Sequence, residues 1–232
     1  MLELEGAVIA NGEFAVDADL KIAPGTRVAV IGPSGAGKST LLAGIAGFAP
    51  LSAGQVRWND ARIDGLAPGA RPLSMVFQEG NLFPHLNVAQ NVGMGLRPDL
   101  HLSQAEQLRV TAALERVGLE EMGKRRPSAL SGGQQSRVAL ARVLLRNRPV
   151  LLLDEPFAAL GPALRHEMLD LVADIAAEES LTLLMVTHDP RDARRIASQT
   201  ILVAEGVAHP PRATDALLDD PPEVLRAYLG AE

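Results

Sequence analysis

The stretch Gly32-Pro33-Ser34-Gly35-Ala36-Gly37-Lys38-Ser39-Thr40 constrains this chain more than any other. It fits G-x-x-x-x-G-K-[ST], the phosphate-binding P-loop. A strand-like run, Arg27-Val28-Ala29-Val30-Ile31, leads in, and a helix-like run over 39–47 leads out. The glycines let the backbone curl so that its N–H groups converge on phosphate oxygens at the positive end of the following helix. Lys38 adds a positive point charge for the β- and γ-phosphates, and the Ser39 hydroxyl can ligate Mg²⁺. The stretch therefore predicts a nucleoside triphosphate site and leaves open what the triphosphate is used for.

The pattern around it is that of an α/β chain. Residues 2–10 and 14–22 alternate in polarity and predict an antiparallel hairpin around Asn11-Gly12. Pro24-Gly25 turns the chain into the P-loop strand. Ser52-Ala53-Gly54 reads as a turn before a short strand over 55–58, and 73–77 as a strand ending at Gln78. From Asn87 to Asn147 the pattern becomes helical. Ser103-Gln104-Ala105-Glu106 is a capping box, Ala105, Leu108, Ala112 and Val117 recur at helical spacing, and a long helix is expected over 135–147. Residues 150–153 and 181–186 are continuous apolar runs, as buried parallel strands should be. Between them Pro162 opens a helix whose Leu164, Met168, Leu171, Val172 and Ile175 share a face. A helix over 190–198 and a strand over 200–203 follow. Strands alternating with helices imply a parallel sheet covered on both faces, with the 87–147 block inserted between strands.

Asp154-Glu155 follows the run 150–153. A carboxylate at the carboxyl end of a buried strand, beside the P-loop, is placed to hold Mg²⁺ through water. The next one, Glu155, can orient or deprotonate a water attacking the γ-phosphate. Leu130-Ser131-Gly132-Gly133-Gln134 precedes the expected 135–147 helix and makes a second anion-binding helix N-terminus. One ATP does not need two such cradles from one chain, so this one is expected to serve the ATP of a second copy in a symmetric dimer. In isolation it also reads as an ordinary glycine-rich helix entry.

The 232 residues, 47% of them apolar, suffice for one large α/β domain or two small ones. No apolar run reaches the roughly eighteen residues of a membrane span, and Met1-Leu2-Glu3-Leu4-Glu5 lacks the basic start and apolar core of a signal peptide. There is no cysteine, hence no disulfide or thiolate chemistry. A net charge of −6 argues against broad nucleic-acid binding, and no nucleic-acid partner is expected.

The P-loop, Gln78, Leu130-Ser131-Gly132-Gly133-Gln134, Val150-Leu151-Leu152-Leu153-Asp154-Glu155-Pro156 and His188 resemble, in order and spacing, an ABC transporter ATPase subunit. The resemblance covers nearly the whole chain. It implies a single ABC-type ATPase domain over 1–232. This is a P-loop NTPase with a RecA-like core and antiparallel β subdomain, about 1–86 and 148–232, and an inserted helical subdomain, about 87–147. It implies ATP and Mg²⁺, the nucleotide sandwiched in a head-to-tail dimer of two copies, at the cytoplasmic face of a bacterial inner membrane. Partners would be transmembrane permease subunits and, indirectly, a periplasmic substrate-binding protein. By the same resemblance Gln78 touches Mg²⁺ and the lytic water, and His188 hydrogen-bonds the γ-phosphate and helps position Glu155. The segment 79–88, which holds Leu82, Phe83 and Leu86, would receive the permease.

Within the family, the runs 71–86 and 88–96, Asp154-Glu155-Pro156-Phe157 and Leu183-Leu184-Met185-Val186-Thr187-His188 are similar to the ATPases of bacterial thiamine (thiamine pyrophosphate) importers. So is the length, which leaves no room for the regulatory domain of sugar-importer ATPases. Importer ATPases for ferric iron, molybdate or polyamines are the alternative. Soluble relatives of DNA repair or translation are remote, because 87–147 cannot hold long coiled coils and the chain has one P-loop unit. Two departures stand out. The family's adenine-stacking aromatic is missing from Ala10-Asn11-Gly12-Glu13, leaving Phe14 as the nearby candidate. The loop Phe157-Ala158-Ala159-Leu160-Gly161 ends in Gly where Asp, reaching towards the partner's P-loop, is usual. Gln135 and Ser136 also stand where a basic residue and Gln are more usual.

Overall fold

The computed structural model describes residues 1–12, 14–78 and 82–230. In chain order, β1 (Leu2–Asn11), β2 (Phe14–Ile22) and β3 (Arg27–Ile31) lead to α1 (Lys38–Ala46), then β4 (Leu51–Trp58), β5 (Ala61–Arg62) and β6 (Leu73–Val76). Next come α2 (Val88–Gly93), α3 (Gln104–Arg116) and α4 (Gly132–Leu144), with no strand between them. The order ends with β7 (Val150–Asp154), α5 (Pro162–Glu178), β8 (Thr182–Val186), α6 (Pro190–Ile196), β9 (Gln199–Ala204), β10 (Val207–Ala208), β11 (Arg212–Ala213), α7 (Thr214–Asp219) and α8 (Glu223–Leu229).

The strands form one sheet of eleven in the order β5-β4-β1-β2-β10-β9-β3-β8-β7-β6, with β11 paired to β9. The portion β9-β3-β8-β7-β6 is parallel throughout. The portion β5-β4-β1-β2 is antiparallel, and short β10 joins the two, parallel to β2 and antiparallel to β9. Parallel strands bury both faces, and the alternation of side chains divides them. Leu151, Leu153, Leu183 and Met185 enter a core with Val138, Leu140, Met168 and Val172 of the flanking helices. Leu152, Leu184, Val186, Val28 and Val30 point the other way, towards Leu41, Leu42 and Ile45 of α1 and Leu4, Ile9, Leu20 and Ile22 of the hairpin.

The hairpin forms as its alternation predicts, Asn11 opposite Phe14. Elsewhere the structure corrects the sequence reading. β4 begins at Leu51, and the expected turn at Gly54 is inside the strand. Gly54 has φ 72°, and a Cβ there would lie 2.2 Å from the Gly6 carbonyl oxygen. The glycine serves a bulge and a close backbone approach, not a turn. On α3 the buried residues are Val110, Ala113 and Leu114, while Leu108 is 65% exposed. Of the stripe expected through Ala105, Leu108, Ala112 and Val117 only Val117 is buried; 110, 113, 114 and, at the C-cap, 117 form the face turned inward. Helix α4 starts at Gly132, earlier than the expected 135, because Ser131 and Gln134 close a capping box at that point.

Helix α1 is buried on nearly every side, and Gly44 lets it approach β1 so closely that a Cβ would lie 2.6 Å from Ile9. Its last carbonyls need partners away from water, and Arg71, 3% exposed, supplies them. Nη1 donates to the Gly44 and Ile45 carbonyls at 2.9 and 2.6 Å, Nε to Leu66 O at 3.1 Å and Nη2 to Asp64 O at 2.9 Å. A cation at this end also matches the helix dipole. Arg71→Leu keeps the apolar stem and orphans the carbonyls. We expect a loss of about 3 kcal/mol, read as a fall in melting temperature of roughly 6–12 °C, with Arg71→Lys intermediate because it keeps the charge without the fork.

Candidate functional site

The strand order brings the carboxyl ends of β3, β8, β7 and β6 side by side, the edge at which open parallel sheets bind ligands. The chain leaves β3 through residues 32–40. Gly32 has φ 150°, and a Cβ there would fall 1.9 Å from the Val203 carbonyl oxygen; Gly37 has φ 105°, and a Cβ would lie 2.3 Å from Val16 Cγ2 and 2.9 Å from the Phe14 ring. Both positions demand glycine by conformation and by space. Pro33, Ser34, Gly35 and Ala36 complete the turn, closed by Ala36 N–H donating to Pro33 O at 3.2 Å.

Lys38, 8% exposed, opens α1 and folds over the loop, donating from Nζ to the Gly32 and Pro33 carbonyls, each at 2.9 Å. Burial holds its ammonium below the usual lysine range, opposed by the nearby charges of Glu155 and Asp154. Ser39 Oγ donates to Asp154 Oδ1 at 2.9 Å. Burial pushes the Asp154 carboxyl up, the Ser39 hydrogen bond and Lys38 oppose that, and Glu155 adds to it. Thr40 Oγ1 accepts from Asn11 Nδ2 at 3.3 Å and ties the loop to the hairpin. One hydroxyl and one carboxylate in contact are an oxygen pair suited to a hard cation. Among the described residues no group of three or more Asp, Glu or His side chains that could hold a metal ion exists.

Glu155 has φ 44°, a left-handed backbone that costs a non-glycine residue about 1–2 kcal/mol. Its N–H donates to Val186 O at 3.3 Å, and its carboxylate stands 3.5 Å from His188 Nδ1. Strain of this kind concentrates at working sites. Tyr228 of α8 donates its hydroxyl to the His188 carbonyl at 3.4 Å. A lone tyrosine in a helical tail carries no sequence signal for that contact.

Ser131 caps α4 with its Oγ accepting from Gln134 N–H at 3.3 Å, while Gln134 Oε1 accepts from Ser131 N–H at 3.0 Å. The Gln134 side chain is thus spent on the cap. The glycines differ in their reasons. A Cβ on Gly133 would lie 2.3 Å from Leu164 Cδ2, whereas one on Gly132 would meet only Leu160, at 3.7 Å. Leu130 is buried. Gly161 caps α5 with extended backbone and no atom within 4 Å of a built Cβ, so a side chain would fit there. Gln78 follows Phe77 at the end of β6 and is exposed. Glu79, Gly80 and Asn81, part of the segment expected to meet a permease, lie outside the described residues, as does Glu13 beside the expected adenine site. Of that segment Phe83 is 38% exposed, and the Arg142 guanidinium lies 5.9 Å from its ring centre. Phe48, which the sequence reading did not single out, is 57% exposed and packs edge-on against Phe77 with centroids 5.3 Å apart.

A lysine buried over left-handed glycines at the carboxyl edge of a parallel sheet has the geometry of phosphate binding, and the fold is that of a P-loop nucleoside triphosphatase. A family model described as ABC transporter matches residues 16–158. The chain belongs to the ABC transporter family. It is 59% identical over 231 residues to the "Thiamine import ATP-binding protein ThiQ" of Ruegeria sp. (strain TM1040), covering 100% of both chains. It is 56% identical over 230 residues to the protein so named from Cereibacter sphaeroides, covering 99% of this chain and 100% of that one. Among solved structures, a dimeric post-hydrolysis state of the ATP-binding cassette MJ0796 bound to ADP and Pi superposes with a TM-score of 0.80 at 29% identity, over 92% of this chain and 99% of that one.

The different reasons for the two glycines can be separated. Gly133→Ala should cost about 1–3 kcal/mol by overpacking against α5. Adding Leu164→Ala should make the glycine change nearly neutral in a double-mutant cycle read by urea denaturation. Gly132→Ala should change stability by less than about 0.5 kcal/mol.

Proposed function

We propose that this chain is the ATP-binding and hydrolysing subunit of a bacterial thiamine importer. The observation that carries the reading is the Glu155–His188 pair beside the P-loop, at 3.5 Å. End-to-end identity with thiamine import ATP-binding proteins supports the substrate. No side chain described above recognises the vitamin, so the assignment of thiamine rests on that likeness.

In this reading the backbone of residues 32–40 and Lys38 bind the phosphates, and Ser39, Asp154 and Gln78 hold Mg²⁺. The ion, when bound, neutralises charge on the β- and γ-phosphates. Glu155 accepts the proton of the water attacking the γ-phosphate. His188 hydrogen-bonds the γ-phosphate and keeps Glu155 aligned. Leu130, Ser131, Gly132, Gly133 and Gln134 present the α4 N-terminus to the ATP of a second copy. Two features support that arrangement: among the described residues no hydrogen bond or ion pair joins 130–134 to 32–40, and the MJ0796 cassette is dimeric. The helical lobe, about 87–147, would carry this segment towards the partner copy.

No helix of the described residues is long and apolar enough to cross a membrane. Membrane-spanning permease subunits would complete the transporter and hold this chain at the cytoplasmic face, with a periplasmic binding protein delivering the vitamin. The exposed Phe48 and Phe83, near Gln78 in the chain or through Phe77, are where we place the permease contact.

Glu155→Gln tests the chemistry. The amide cannot serve as base, so turnover should fall by about 10²–10⁴-fold while ATP still binds, and an ATP-trapped dimer should appear by size exclusion. Undiminished phosphate release would refute the assignment. Adenine offers a second test. The Phe14 ring is 38% exposed and lies against Gly37, which places an aromatic face at the P-loop, displaced from the usual position. Stacking is worth about 1–3 kcal/mol per base. Phe14→Ala should therefore weaken ATP and GTP binding alike, by roughly tenfold, in a competition assay. Unchanged affinities would mean that the base is held elsewhere.

A further inference from the structure

Arg165 lies on the first turn of α5, and its guanidinium turns back beneath the loops that carry Glu155 and His188. Its side chain is 17% exposed. Nη2 donates to Ala158 O at 3.2 Å, in the segment between Glu155 and Gly161. Nη1 stands 3.8 Å from Asp189 Oδ2 and 3.7 Å from Asp192 Oδ2, in the segment after His188. Buried Nε has no hydrogen-bond partner among the described residues. The second segment is closed around Thr187, whose Oγ1 accepts from Asp189 N–H at 3.1 Å and donates to Asp192 Oδ2 at 3.3 Å. Glu155, Arg165, Thr187, His188 and Asp192 line one cavity of about 10 Å³, room for a single water at most.

Asp189 and Asp192 are like charges on one short turn, and Asp192 is 6% exposed. Asp189 is also held by the exposed Arg191, with Nε 3.1 Å from Oδ1 and Nη2 2.8 Å from Oδ2, but among the described ion pairs Arg165 is the one cation that faces both carboxylates and the one that faces Asp192. A buried guanidinium with an unpaired Nε is a weak device for stability, since apolar residues of equal volume do as well or better. Its geometric effect is specific: it ties the segment after Glu155 to the segment after His188, and those two side chains meet at 3.5 Å. We propose that Arg165 is a positioning residue for ATP hydrolysis, holding His188 against Glu155 by bracing both segments. The proposal rests on the roles given to those two residues above.

The test uses the transporter assembled with its permease. Arg165→Met keeps the length of the side chain and removes charge and fork. Its kcat should fall by about 30–100-fold with KM for ATP changed less than about threefold, the pattern of misplacement and not of lost binding. On a His188→Ala background the same change should cost less than about twofold more, because the part it positions is gone. Asp192→Asn, which removes one of the facing carboxylates, should return about tenfold to Arg165→Met. If the losses at Arg165 and His188 multiply, Arg165 does not act through His188 and the proposal fails, with the role of His188 left standing. A wild-type rate in His188→Ala would instead overturn the reading beneath it. Should Arg165→Met not fold, Arg165→Lys carries the same cycle. It should lose less than the methionine, and that loss too should vanish on His188→Ala.

Discussion

A helix that is buried on nearly every side can exist only if it is covered from more than one flank, and α1 is such a helix. Leu41 and Ile45 share one face of α1 and Leu42 lies round to the side of it, yet all three are fully buried. The parallel sheet can cover one flank. The other flank is covered by β1, β2 and β4, which explains why the chain continues the sheet antiparallel beyond β10 and brings it round to the far side of α1. Much else follows from that enclosure. The N-terminus of α1 is fixed at the carboxyl edge of β3, its glycines must lie against strands, and its C-terminal carbonyls have to find Arg71 instead of water.

The same enclosure sets the electrostatics of the site. Lys38 and Asp154 are both drawn out of water at the mouth of α1, and each is driven by burial towards its neutral form. They offset one another only in part. A group of this kind is preorganised for a charged ligand: the desolvation is built into the fold, so a phosphate group meets N–H donors already oriented. Along the sheet edge the functional side chains come in groups from neighbouring strands, Lys38 and Ser39 after β3, Asp154 and Glu155 at the end of β7 and His188 after β8, so the spacing between groups is set by strand pairing, among the stiffest quantities a fold offers.

How much of this was legible in the sequence depends on the range of the interaction. The hairpin, the P-loop and the strands β7 and β8 are declared by neighbours in the chain: alternation, a glycine pattern, unbroken apolar runs. The cap at Ser103 is local as well; the one at Ser131 is equally local, but the helix expected from 135 overlooks it. What the sequence hides is contact across the fold. Gly54 reads as a turn until Gly6 is seen beside it. Leu108 reads as core until α3 is docked with Val110 inward. Arg71 and Tyr228 are ordinary letters whose meaning lies with carbonyls elsewhere in the chain. The candidate site was legible through Lys38, Ser39, Asp154, Glu155 and His188, which the structure gathers together. It was illegible in the residues that support them.

The left-handed backbone of Glu155 has a consequence for how this chain can change. Glycine would relax that position by about 1–2 kcal/mol, so the fold alone favours losing the side chain there. Under the role proposed for the carboxylate, activity favours keeping it. The most stable sequence for this backbone is therefore not the working one, and a search for heat-resistant variants that ignored turnover would be drawn to replace Glu155.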